Sequence, residues 1–210
     1  SLPLSTHYDS DIRALLFDLG NVLVEIDFSR VLSVWASYAG ITAEELVPRF
    51  SLQDKDHERF ERGEITSAHF FNSVRETLRI DITNAQFLEG WNSVFVGEIT
   101  GIDDVVKRAS LRYPLYVFSN TTLPHHVVWQ NLCPELLTKF KKIFVSYELG
   151  LRKPDEEAFY AVAEAIGEPI HQILFFDDSP ENVAVASRLG MQIVEVKTVQ
   201  DVKERLELLL

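Results

Sequence analysis

A chain of 210 residues and 24.0 kDa has room for one or two domains, at roughly 150 residues each. Its content of 46% hydrophobic, 25% charged and 11% aromatic residues excludes a disordered or collagen-like chain. With 20 basic against 32 acidic residues the net charge is −12. That argues against nucleic acid or an anionic membrane as partner, because both need a basic footprint.

The start, Ser1 to Arg13, is polar, contains Asp9 and Asp11, and lacks the basic and apolar segments of a signal peptide. Arg13 to Phe17 then reads as a short buried strand, closed by the turn signal Asp18-Leu19-Gly20-Asn21. From Ser29 to Gly40 the apolar residues Val31, Leu32, Val34, Trp35 and Tyr38 recur at helical spacing, with Ser29 as expected N-cap and Gly40 as stop. Thr42-Ala43-Glu44-Glu45 has capping-box spacing. Helical patterns continue through Asp54–Arg62, Ser67–Leu78 and Asn84–Val94, with no strand expected between them.

After Gly101 the texture changes. Leu115–Phe118, Ile143–Val145, Ile173–Phe176 and Gln192–Val196 are short runs rich in β-formers, and helical patterns at 124–139, 155–166, 180–189 and 199–209 separate or follow them. Strands alternating with helices predict an α/β fold, a doubly wound, mostly parallel sheet. The first strand belongs with this half, so the helical stretch is expected as an insertion after it. The expected division is a core of 11–27 and 98–210 and a small helical cap of 28–97.

No apolar run approaches the length of about 18 residues that a spanning helix needs. The single cysteine, Cys133 beside Pro134, has no internal disulfide partner and fits a reducing compartment. A soluble, cytoplasmic protein is expected, monomeric in the first instance, with a dimer also compatible.

Ligands of open α/β sheets bind outside the carboxyl ends of the strands, so the residues after each apolar run carry the functional reading. They are Asp18, then Ser119-Asn120, then Arg152-Lys153-Pro154-Asp155, then Asp177-Asp178-Ser179. A carboxylate, a hydroxyl, a cation and an acidic pair on one rim suit phosphoryl transfer through an aspartyl intermediate. A carboxylate can attack phosphorus and divide one hard step into two, provided cations offset the repulsion. Mg²⁺ binds through one or two carboxylates plus substrate phosphate, and Lys153 can act as a point charge on that phosphate. Each residue has a plainer reading too. Asp18 fits a turn, Ser119-Asn120 a helix N-cap, Lys153 a solvated loop, and Asp177-Asp178 a cap for a helix starting near Pro180.

Four segments together resemble the phosphatase branch of the haloacid dehalogenase superfamily. They are Phe17-Asp18-Leu19-Gly20-Asn21-Val22-Leu23, Val117-Phe118-Ser119-Asn120, Gly150-Leu151-Arg152-Lys153-Pro154 and Phe175-Phe176-Asp177-Asp178-Ser179-Pro180-Glu181-Asn182. The resemblance spans about the whole chain and implies a Rossmann-like core with a helical cap after the first strand. The opening motif with Glu25-Ile26-Asp27-Phe28 looks most like bacterial phosphatases of α-glucose 1-phosphate. By that resemblance Asp18 is the nucleophile and an Mg²⁺ ligand, and the Gly20 carbonyl is a second ligand. Asp178 binds the metal directly, with Asp177 nearby. Ser119 and Asn120 hold phosphate or substrate, and Lys153 neutralises charge. The implied activity is Mg²⁺-dependent hydrolysis of a small phosphorylated metabolite, a sugar phosphate being the expected kind.

One position departs from the pattern. Phosphatases of this superfamily usually carry a second aspartate two residues after the nucleophile, as general acid and base; this chain has Gly20. Dehalogenases also lack it, so metal-free dehalogenation on Asp18 is an alternative, as is a binding protein that has lost turnover. The pair Asp177-Asp178 favours the metal-dependent reading. His125, His126, Glu25 and Asp27 are minor candidates for the missing acid. The aromatics Trp35, Phe60, Phe70, Phe71 and Trp91 are expected mainly in the cap core.

Overall fold

The computed structural model describes residues 11–210, so most of the polar start lies outside the described residues. Among the described residues there are seven strands: β1 (Ala14–Phe17), β2 (Val24–Ile26), β3 (Phe95–Glu98), β4 (Leu115–Ser119), β5 (Lys142–Val145), β6 (Ile173–Asp177) and β7 (Gln192–Glu195). Five of them form one parallel sheet in the order β5-β4-β1-β6-β7. The three middle strands are buried at every residue. That is why they read as continuous apolar runs: a parallel sheet is covered by helices on both faces.

Side chains alternate between those faces. Leu15 and Phe17 of β1 join Leu115, Val117, Leu174 and Phe176 in one core, covered by helices Ile102–Ser110 and Val199–Glu207. Ala14 and Leu16 point to the other core with Tyr116, Phe118 and Phe175, under helices Glu156–Ile166 and Pro180–Arg188. Phe17 stacks on Phe176 at 4.6 Å between centroids, its neighbour in the β1–β6 register. Burying each such ring stabilises the sheet by about 1.5–3 kcal/mol.

A third cluster lies within residues 31–94 and is aromatic. Trp35 stacks on Phe87 at 4.5 Å and Phe60 on Phe70 at 4.6 Å, and the Trp35 indole donates to the Phe87 carbonyl. Helices Phe28–Ala39 and Asn84–Asn92 cross closely at Gly90, where a Cβ would sit 2.3 Å from the Trp35 ring. The antiparallel ribbon β2–β3 joins this unit to the sheet.

Several local expectations need correction. Asp27, not Ser29, caps helix Phe28–Ala39: its carboxylate accepts from both the amide and the hydroxyl of Ser29. Thr42 makes no capping bond, and its helix is only Ala43–Leu46. Capping boxes occur instead at Thr83/Gln86 and Thr198/Asp201. The pattern over 124–139 is two helices, Leu123–Trp129 and Pro134–Leu137, since Pro134 cannot extend the first one. Strand β3 begins at Phe95, inside the stretch expected to be helical throughout.

Candidate active site

The sheet order puts the ends of β1, β4 and β6 side by side. Asp18 follows β1, and its amide donates to the Phe176 carbonyl at 2.8 Å, extending the ladder by one residue. Ser119 ends β4 and Asp177 ends β6, both buried. The loop after Asp18 turns back at once, with Leu23 and Val24 both donating to the Leu19 carbonyl. Asn21 takes the left-handed conformation, φ 61°, which asparagine tolerates better than most residues. Its amide reaches Asp178 at 3.5 Å.

Lys153 is the hub of the site. Only 1% exposed, its ammonium donates to Asp18 Oδ1 at 3.0 Å, Asp177 Oδ2 at 2.9 Å and the Phe118 carbonyl at 2.8 Å. It also lies over the rings of Phe118 and Phe175. Asn120 fixes the backbone of this lysine from both directions: its carboxamide accepts from Lys153 N and donates to Lys153 O. The Asn120 side chain thus positions the cation. Asp177, fully buried, also accepts from Ser179 N and Asn182 Nδ2. Ser179 rather than either aspartate caps helix Pro180–Arg188, so the acidic pair is not needed for capping.

Carboxylate oxygens of Asp18, Asp177 and Asp178 all lie within 4.8 Å of one another. Three acids against one lysine leave an excess of negative charge. Burial, then Asp177 and Asp178, push the Asp18 carboxyl well above its ordinary value against the opposing pull of Lys153. Asp178 is raised as well, mainly by burial. For Lys153 burial pulls downward, yet the two carboxylates outweigh it and hold the ammonium charged. Such a site gains from a divalent cation with hard oxygen preference.

A cavity of about 300 Å³ opens beside this rim, lined by Leu19, Gly20, Ser119 and Asn120 and, from the helical stretch, by Phe28, Leu52, His57 and Glu61. Gly20 lies in its wall, and a Cβ there would meet Ile26 Cδ1 at 3.1 Å. Of the candidates for the missing acid, His125 is buried, bonded through Nε2 to the Trp91 carbonyl, and pushed down to about 3 by burial. It is neutral at pH 7 and supplies no acid. Asp27 is occupied by its helix. Burial raises the Cys133 thiol to about 11, with Glu98 adding to it, so it stays protonated and inert.

Sequence reasoning missed the polar link between helix Lys55–Glu61 and the rim. Arg152 Nε donates to Glu61 Oε1 at 3.0 Å and also pairs with Glu58. His57, one helical turn before Glu61, stands 3.7 Å from that carboxylate. The i, i+4 spacing of His57 and Glu61 was the available signal, but nothing in it names a partner 91 residues away. Next to this link, Gly63 packs so tightly on the core that a Cβ would lie 2.4 Å from the Tyr147 carbonyl oxygen.

A sequence profile for haloacid dehalogenase-like hydrolases matches residues 12–190. The chain belongs to this family. Among relatives of this haloacid dehalogenase-like hydrolase, drimenol cyclase of Aspergillus calidoustus is 30% identical over 93% of the chain, which spans only 36% of the cyclase. D-ribitol-5-phosphate phosphatase of Bacteroides thetaiotaomicron is 22% identical, over 95% of the chain and 98% of its own length. A family enzyme of the same bacterium, solved with magnesium and inorganic phosphate, is 30% identical with a TM-score of 0.75, covering 89% of this chain and 95% of that one. The hydrolase fold, a mostly parallel Rossmann-like sheet flanked by helices, is shared with that structure. Among the described residues of the hydrolase, no helix is long and apolar enough to cross a membrane.

Proposed function

We propose that this hydrolase is an Mg²⁺-dependent phosphatase of small phosphate monoesters, with Asp18 as nucleophile. The observation that carries the reading is the Lys153 ammonium held between Asp18 and Asp177, with Asp178 alongside. Asp18, Asp178 and the Gly20 carbonyl would hold the metal directly. Asp177, saturated by Lys153, Ser179 and Asn182, would act from behind. These are hard oxygen donors of the kind Mg²⁺ takes. A metal bound there supplies positive charge to the phosphate oxygens.

The chain's own residues do the rest. Asp18 attacks phosphorus, the ester oxygen departs, and water then attacks the aspartyl phosphate to release phosphate and restore the carboxylate. Lys153 offsets the charge gathered on the transferred group. Ser119 borders the cavity and would hold phosphate, while Asn120 keeps Lys153 in place. Residues 28–97 act as a cap that shelters the reaction. All these groups come from one chain, so a monomer suffices.

A ribitol phosphate phosphatase among the relatives supports a small phosphorylated metabolite as substrate. Sugar phosphates, glucose 1-phosphate included, are one such class; the choice of leaving group rests with the cavity walls. The test is phosphate release from a panel of esters with Mg²⁺ and with EDTA. Metal-dependent release supports the proposal. Halide release from 2-haloacids that survives EDTA would replace it with dehalogenation.

A further inference from the structure

Two independent features of the cavity bear on the group that leaves. The first is its lining. Ile26, Phe28, Val94, Phe95 and Trp129 form much of the wall, and of its polar side chains Thr121, His125, His57 and Glu61 already have protein partners, as Asn120 does on Lys153, which leaves Ser119 for the phosphate and Gln53 at the exposed edge. Thr121 Oγ1 accepts from the Trp129 indole at 3.1 Å, and His125 Nε2 is bonded to the Trp91 carbonyl at 2.8 Å. The His57 ring is bonded to the Leu52 carbonyl at 3.0 Å, and Glu61 accepts from Arg152 at 3.0 Å. A sugar or polyol would bring several hydroxyls into this space, and each one buried without a partner disfavours binding. An apolar cavity of about 150 Å³ suffices for benzene, so about 300 Å³ accommodates a fused pair of rings.

The second feature is Gly20. No carboxylate stands there, and Ile26 Cδ1, 3.1 Å from where a Cβ would be, makes this part of the wall apolar, so Gly20 offers the departing oxygen no proton. An oxygen that leaves without a proton must be stable as an anion.

We propose that the natural substrate is the phosphate monoester of an apolar, acidic hydroxyl, an aryl phosphate, in preference to a sugar or polyol phosphate. This rests on the phosphatase reading of Asp18. As the bond from Asp18 oxygen to phosphorus forms, the bond from phosphorus to the aryl oxygen breaks and its electron pair stays on that oxygen, delocalised into the ring. Water then attacks phosphorus, the bond to Asp18 breaks, and the water proton leaves with phosphate or to solvent.

The experiment has a kinetic and a binding arm, both on the full chain with Mg²⁺. Phosphate release is compared for 2-naphthyl phosphate, glucose 1-phosphate, ribitol 5-phosphate and acetyl phosphate. The naphthyl ester is expected to exceed both polyol esters in kcat/KM by at least about tenfold, or 1.4 kcal/mol. A polyol ester that equals or exceeds it overturns the proposal. Because an aryl ester is also intrinsically reactive, calorimetry compares naphthylmethylphosphonate with methylphosphonate, neither of which is hydrolysed. The naphthyl compound is expected to bind at least about tenfold more tightly, and Ile26→Thr should bring the ratio toward one. Equal affinities in the wild-type chain refute the apolar subsite. No release from any ester, acetyl phosphate included, would instead sink the phosphatase reading itself, whatever the phosphonates do.

Discussion

Lys153→Met removes the ammonium while keeping a side chain of similar length, and the structure sets the size of the effect. The lysine makes three hydrogen bonds, two of them to carboxylates, and is 1% exposed. Removing one partner of a buried ion pair costs about 3–5 kcal/mol, because the remaining charge stays buried without compensation. For a chain of this size that corresponds to a fall in Tm of about 6–20 °C. The sign with pH follows from the groups left behind. Without the ammonium, Asp18 loses the charge that opposes its upward shift, so its folded-state pKa rises further above the unfolded one. Acids raised in this way stabilise the fold below the unfolded pKa and lose that contribution as pH rises through the folded pKa. In the wild type, Lys153 is itself raised, so its contribution is complete at neutral pH and is lost only at alkaline pH. The deficit of the variant should therefore be largest near pH 8 and shrink toward pH 5. Urea unfolding of both proteins in EDTA, across that range, measures it. A deficit below about 1 kcal/mol, or one that does not change with pH, would refute the account of Lys153 as counter-charge to buried Asp177 and half-buried Asp18.

Asp18→Asn should abolish phosphate release with little change in the urea midpoint; a rate above a few per cent of wild type would remove Asp18 as nucleophile. Asp178→Ala is expected to raise the Mg²⁺ concentration for half-activity, whereas Asp177→Ala, which strips partners from Lys153 and Asn182, should chiefly lower Tm; the reverse assignment would reverse their roles. Because Asp18 is raised well above its ordinary value by burial and acidic neighbours, and a metal needs the carboxylate, Mg²⁺ should raise Tm more at pH 8 than at pH 5. An equal rise at both would place the metal elsewhere. Gly20→Asp, with Ile26→Val to make room, should raise kcat for glucose 6-phosphate by about 10²-fold, the lower end of what a positioned proton donor contributes, and an unchanged kcat would show that proton donation does not limit the reaction.

What the sequence disclosed depended on how local the cause was. β1, β4 and β6 were legible because burial on both faces leaves an unbroken apolar run. The rim residues were legible because each stands directly after such a run. The ribbon β2–β3 was not: its strands have three and four residues, and each is specified only by a partner about 70 positions away. The exchange of Ser29 for Asp27 as N-cap is a choice between two good capping residues two positions apart, settled by where the ribbon releases the chain. Asn120 was read as a candidate for holding phosphate or substrate, and its grip on both sides of the Lys153 peptide required the loop's actual path. Arg152 was read only as a neighbour of Lys153, since its carboxylate partners belong to the other unit.

Arg152 and Lys153 are consecutive, yet one is tied to Glu61 in helix Lys55–Glu61 and the other to Asp18 and Asp177 at the sheet's rim. The two units therefore cannot be exchanged as independent modules. A helical segment grafted from another family member in place of this one would need an acidic residue opposite Arg152 and a glycine over the Tyr147 carbonyl, where a Cβ would come within 2.4 Å. A graft lacking either would leave Arg152 without its acids or clash at the seam, and would also shift the peptide that carries Lys153. Chimeras of this protein should accordingly be cut so that residues 57–63 and 147–153 travel together, because the inheritance of one segment constrains the other.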